Sequence, residues 1–293
     1  MPSNGGTNRT VMTTTGAPRP LLPAAGAIAW RLTAFLLVWA MLLAGPLVFA
    51  QEWLRPRLSG GTPYVQLLVD SAACLTLVVA LWVMRRFAGR STTAIDAGPA
   101  SATGHLSVGL VVGVVLMAMV VVVLAIAGTL HRVSIPAPSL ALLAVVCLST
   151  LINAAAQELL FQGYVLPLFE RYTGTRVALA CTAALFLLAH GPAAFAHVLP
   201  GINLYLAGLL LGTAFLSTRS LWFSTGLHYG WNLLQGPILG LSVSGHDLGG
   251  WRLVDASGPS WITGGDFGPE GGIVATIVTL IGIAALWGYG RIR

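Results

Sequence analysis

The chain is expected to fold as an all-α, polytopic transmembrane helical bundle of about eight spans, and three observations predict it. Hydrophobic residues make up 56% of its 293 positions, only 8% are charged, and the mean hydropathy is +0.83. A soluble globular chain carries charge on about a quarter of its residues. The apolar residues arrive in blocks of roughly 18 to 25, the length at which a helix crosses about 30 Å of hydrocarbon. Short alternating segments of the barrel kind are absent. A bilayer then leaves only helices to satisfy every backbone N–H and C=O internally.

Taken in order, residues 1–25 are rich in Thr, Pro, Gly and Ala, lack periodicity, and read as a disordered N-terminal tail. They lack the short apolar core of a cleaved signal peptide, so the first span, beginning near Ala27, is expected to act as the targeting signal. Transmembrane helices fill 26–135, with spans at about 29–50, 64–84 and 106–128. A core at 138–242 holds four more, at about 138–168, 175–191, 202–217 and 220–242. The first of these is overlong and is expected to stay helical until Pro167 or the Thr173-Gly174 turn breaks it. Residues 243–271 form a Gly-rich extracytoplasmic loop carrying Asp247, Asp255, Asp266 and Glu270. It reads as a solvated connector, with a substrate-gating flap as the sharper alternative. The last transmembrane helix, at about 272–290, and a cytoplasmic end occupy 272–293.

All 15 basic residues are arginine, and their placement orients the bundle. With a cytoplasmic amino terminus the inside holds Arg9, Arg19, Arg31, Arg85, Arg86, Arg90, Arg171, Arg176, Arg219, Arg291 and Arg293, and the outside keeps Arg55, Arg57, Arg132 and Arg252. The positive-inside rule predicts that asymmetry, and an even number of spans returns the carboxyl terminus to the cytoplasm. The expected location is the cell membrane, multi-pass. Membrane lipid is the partner of these flanking arginines. Nucleic acid is not, because no basic cluster is interleaved with exposed aromatics. Cys74, Cys147 and Cys181 fall inside apolar spans at spacings of no metal or redox motif and are expected to stay unpaired.

Chemistry is expected where ionisable groups interrupt the spans. An acidic residue at the centre of a spanning helix costs roughly 2.5 to 3.5 kcal/mol, so such residues usually face a protein-lined cavity. Glu158 sits in the run Gln157 to Tyr164, QELLFQGY, and His190 and His228 sit in later spans. Residues four apart share a helix face, which aligns Glu158 with Gln162, Phe186 with His190 and His228 with Asn232. One carboxylate and two imidazoles around trapped solvent suit hydrolysis of an acyl bond such as a peptide. Glu158 would accept a proton from water, His190 would hold that water, and His228 with Asn232 would donate to an oxyanion. The same Glu158, His190 and His228 could instead ligate Zn²⁺ with an open fourth position. Asp70, with no evident partner, is expected to be a structural acid, and His197 an interfacial residue; His105, His131 and His246 are placed in loops and assigned nothing. Polar residues concentrated in the second half alone argue against an inverted-repeat transporter.

At these residues the chain resembles the CPBP family, the CAAX proteases and bacteriocin-processing proteins that include type II prenyl-protein endopeptidases. The family's ordered motifs are EExxxR, FxxxH and HxxxN or HxxxD. Here the first reads Gln157-Glu158-Leu159-Leu160-Phe161-Gln162, the second Phe186 to His190 and the third His228 to Asn232, within 138–242. The resemblance implies an intramembrane endopeptidase, metallo- or glutamate-type, acting on membrane-associated substrates, prenylated ones among them, near the cytoplasmic face. It also implies that Gln157 stands where the family's water-activating Glu belongs and Gln162 where its Arg belongs. An amide has no titratable site at physiological pH, so the alternative is a catalytically impaired membrane scaffold or immunity-type protein that binds a peptide or partner.

Overall fold

A computed structural model describes residues 21–57, 62–88, 102–133, 137–195 and 197–292. Its long elements are helices α1 (Leu21–Val48), α2 (Thr62–Ala88), α3 (Ala102–Ile126), α4 (Leu140–Leu160), α5 (Leu166–Thr173), α6 (Thr175–Ala189), α7 (Val198–Thr218), α8 (Leu221–Leu233) and α10 (Ile273–Ile292). The expected tail at 1–20 lies outside the described residues, while Leu21 onward already belongs to α1. Among the described residues, six helices are long and apolar enough to cross a membrane: Ala25–Leu54, Thr62–Arg86, Ala102–Ile126, Leu140–Thr173, Val198–Thr218 and Ile273–Gly290. The chain is a polytopic helical membrane protein.

Two of the eight expected spans are shorter than anticipated. The α6 helix has 15 residues and α8 has 13, so at 1.5 Å per residue they are roughly 20 Å long. Helix α6 stops at His190, before Gly191 at φ 71° and Pro192. Helix α8 passes into a wide π-helical turn, Leu234–Ile238, that contains Pro237. Both ends fall beside the residues of interest.

The overlong fourth span runs through Pro167 and ends at Gly174, whose φ of 80° no helix continues. Proline lacks the N–H an α-helix needs. Here a π-helical turn, Phe161–Val165, precedes it and puts Pro167 in the first turn of α5. Such turns commonly mark functional sites.

Helix α8 is held against α3 by glycines. A Cβ at Gly109 or Gly113 of α3 would lie 2.2 or 2.0 Å from the carbonyl oxygens of Phe223 or Leu227, and one at Gly226 or Gly230 of α8 would lie 2.2 or 2.3 Å from those of Leu106 or Leu110. Only hydrogen fits at all four positions. Two glycine pairs four residues apart let the backbones touch, the small-xxx-small packing of membrane helices. His228 and Asn232 therefore project from the opposite face of α8, toward α4 and α7.

The 243–271 segment is a built cap rather than a loose connector. Strand β2 (Val254–Ala256) pairs antiparallel with β1 (Leu130–Arg132), with His131 opposite Asp255. A single turn of helix, α9 (Ser260–Thr263), precedes two tight turns at Gly265–Phe267 and Pro269–Gly271. Gly268 has φ 97°, and a Cβ there would lie 1.9 Å from the Ser242 carbonyl oxygen. The cap is pinned to the bundle by Asn203 of α7, whose Nδ2 donates to the carbonyls of Glu270 (2.7 Å) and Gly272 (2.8 Å).

Candidate active site

The site begins on α4. Its face toward α2 carries Ser149, Asn153 and Gln157 one turn apart, and all three belong to a chain of hydrogen bonds centred on buried Asp70. Ser149 Oγ and Asn153 Nδ2 donate to Asp70, Gln66 Nε2 donates to it from one turn away on α2, and Gln157 Nε2 donates to Asn153 Oδ1 at 2.7 Å. Asp70 thus has three side-chain partners that spacing alone did not reveal. Fixing one face of α4 in this way fixes the next: Glu158, about 100° further round, is fully buried and faces α8.

There Glu158 Oε1 lies 2.9 Å from Nδ1 of His228. With Glu158 ionised, Nδ1–H donates to it and Nε2 is the ring atom left for other work. The other imidazole is oriented by its own helix, since His190 Nδ1 lies 2.8 Å from the Phe186 carbonyl oxygen. A carbonyl only accepts, so Nδ1 carries the proton and Nε2 of neutral His190 keeps its lone pair. The Phe186 ring sits between the two histidines, 4.6 Å from the His190 ring and 6.1 Å from the His228 ring, and meets Phe161 edge-on at 5.2 Å.

Both histidines and Asn232 line one cavity of about 50 Å³. That is room for a few waters, since one needs about 10–15 Å³. Its walls are mainly apolar, from Leu204, Ala207, Leu210 and Leu211 of α7 and from Leu227 of α8. The structure therefore brings His190, His228 and Asn232 to a common space. Glu158 stands behind His228, and Gln157 is turned to the Asp70 cluster. Gln162 is fully buried, and neither polar end has a hydrogen-bond partner among the described residues.

The Zn²⁺ set expected from Glu158, His190 and His228 is not assembled. Among the described residues no three His, Cys, Asp or Glu side chains gather as metal ligands. Helix α4 aims the carboxylate at the back of the His228 ring. Of the other histidines, His105 lies in the first turn of α3 rather than in a loop, and His131 in β1 pairs with Ser257 Oγ at 2.6 Å. His197 precedes α7 and is exposed.

One acid of the cavity was assigned only to the loop. Glu270 lines it together with Trp231 and Ser244. Its Oε1 accepts from Ser244 N and Ser244 Oγ (2.7 Å), and its Oε2 from Trp231 Nε1 at 3.2 Å. Burial pushes this carboxyl above the ordinary carboxylate range, against the lowering effect of those donors and of nearby His228. The signal available in the sequence was its place: Glu270 is the acid nearest the last span, inside Gly268-Pro269-Glu270-Gly271-Gly272.

The class is a helical membrane bundle in which two imidazoles, the Asn232 amide and the Glu270 carboxyl line one small cavity. Residues 138–234 match the family model of the type II CAAX prenyl endopeptidase, Rce1-like. Over that third of the chain the protein is similar to the CAAX protease-type membrane endopeptidases. No curated protein and no solved structure matches the chain.

Proposed function

We propose that the protein is an intramembrane endopeptidase that hydrolyses a peptide bond of a membrane-associated substrate with water held in this cavity. The observation that carries the reading is the convergence of His190, His228 and Asn232 on one small, largely apolar space. His190 Nε2 accepts a hydrogen bond from the water and orients it toward the scissile carbonyl. Asn232 Nδ2 donates to the oxyanion that forms, and so does His228 Nε2 when the ring, ion-paired to Glu158 through Nδ1, is protonated there. Glu158 is in this scheme a positioning residue, while apolar walls raise the strength of each polar contact by excluding bulk water.

The cavity lies at one end of the bundle. His190, the 243–271 cap and the start of α10 share that end, and Arg171, Arg176 and Arg219 mark the other, where Arg219 meets Glu170 at 3.6 Å. With the arginines cytoplasmic, a substrate enters from the arginine-poor side. That favours a peptide presented in the outer leaflet over the cytoplasmic-face, prenylated peptide that the resemblance implies.

The test is turnover of a fluorogenic membrane peptide by the protein purified in nanodiscs. Wild type should cleave it, with His190→Ala and Asn232→Ala each slower by about 10²-fold or more, and chelators should leave the rate unchanged. Gln157 and Gln162, in place of the family's Glu and Arg, favour a second reading, a peptide-binding scaffold. Turnover by wild type no faster than by His190→Ala, with peptide still bound, would establish that reading instead.

A further inference from the structure

Neither residue of the first motif presents a carboxylate to the cavity. Position 157 holds an amide turned to Asn153, and Glu158 is engaged by Nδ1 of His228. Glu270 reaches the cavity from the opposite wall, on a cap contributed by a segment outside the matched family domain. We infer that Glu270 is the general base of the site, supplying from the cap the carboxylate that Gln157 lacks.

Hydrogen-bond capacity singles out one oxygen. Oε1 already accepts from two donors of Ser244, filling both lone pairs, whereas Oε2 accepts from Trp231 Nε1 alone and has a second lone pair free. Three N–H and O–H donors hold the group in place. The turn that carries it is rigid: Pro269 and Gly271 are buried, and the carbonyls of Glu270 and Gly272 are both fastened to Asn203. A base fixed in this way needs no reorganisation when the water arrives.

The step balances within the site. Oε2 takes a proton from the water held by His190 as the water oxygen bonds to the substrate carbonyl carbon, and the carbonyl π pair moves onto its oxygen, facing Asn232 and His228. Collapse of the tetrahedral intermediate breaks the C–N bond, and Glu270 returns the proton to the departing amine. One water is consumed, and one acid and one amine leave. Among titratable groups, His228 from α8 and His190 from the end of α6 share the cavity with Glu270, and His246 stands by His190; Asp266 of the cap is exposed.

The inference rests on the peptidase reading above, and one assay separates the two. In nanodiscs, Glu270→Gln should lower kcat by about 10²- to 10⁴-fold with KM changed only severalfold, and Glu270→Asp should recover part of the loss. The acid limb of the wild-type pH profile should lie above the ordinary carboxylate range, because the base must be ionised and burial raises its pKa. Ser244→Ala, which removes one donor to the charged form, should move that limb to higher pH.

Wild-type turnover by Glu270→Gln beside an inactive His190→Ala would sink the base and leave the peptidase. Turnover by wild type no faster than by His190→Ala would sink both. Should Glu270→Gln fail to fold, Glu270→Asp and Ser244→Ala decide. Equal collapse of both, with no displacement of the limb, would make Glu270 a fastening of the cap and overturn the inference.

Discussion

Gln157 shows how a departure from a family motif can be required by its neighbours. Its Nε2 donates to Asn153 Oδ1, which frees Asn153 Nδ2 to donate to Asp70. A carboxylate at 157 would need Asn153 Nδ2 for itself and turn Oδ1 toward Asp70, leaving one acid short of a donor. Gln157→Glu should therefore destabilise the protein by about 1–3 kcal/mol, and Asp70→Asn should rescue it; a double-mutant cycle of thermal midpoints measures the coupling. Gln162 makes the opposite case. An amide buried with both ends unpartnered costs about 1–3 kcal/mol, so Gln162→Leu should raise the melting temperature.

At the scale of elements, the site depends on where short helices stop and how closely they approach. The α-helical part of α8 has only 13 residues, and its position comes from the glycine contact with α3. Gly113→Val would drive a side chain into the Leu227 carbonyl, 2.0 Å from the Cβ position. It should cost about 3 kcal/mol or more and, by displacing His228 and Asn232, lower kcat in whatever fraction folds; calorimetry and the turnover assay read the two effects. Four-residue spacing gave the helical phase of α4, α6 and α8, from which Glu158, His190, His228 and Asn232 are expected to form one group; His190, His228 and Asn232 share the cavity, and Glu158 meets His228 behind it. The π-helical turns after α4 and α8 were not, because a one-residue change of hydrogen-bond register leaves no hydrophobic period of its own.

Across the whole molecule, the cavity and the Arg171, Arg176 and Arg219 cluster lie at opposite ends of the bundle. The arginine-rich end should be cytoplasmic and the capped cavity external. In intact cells, a membrane-impermeant maleimide should label Ser257→Cys, on the exposed cap, and spare Thr175→Cys, on the exposed arginine-rich end. The reverse pattern would invert the proposed direction of substrate entry. The cap also alters how the chain divides. The residues 138–242 do not make the site alone: α3 seats α8, and Ser244, Phe267 and Glu270 of the 243–271 segment line the cavity. Glycine-rich composition describes a flexible connector and an ordered cap equally well. Only the contacts that its turns make, such as Gly268 against Ser242, distinguish them.

By itself the sequence determined the class, the long helices and the motifs that carry the family resemblance, because apolar blocks of spanning length and residues four apart act through local geometry. The tertiary structure alone decided what each polar side chain faces. Glu158 meets His228 rather than the cavity, Asn153 meets Asp70 and Glu270 meets Trp231 at the cavity, because these pairings join residues 39 to 83 positions apart in the chain. No local period encodes such distances.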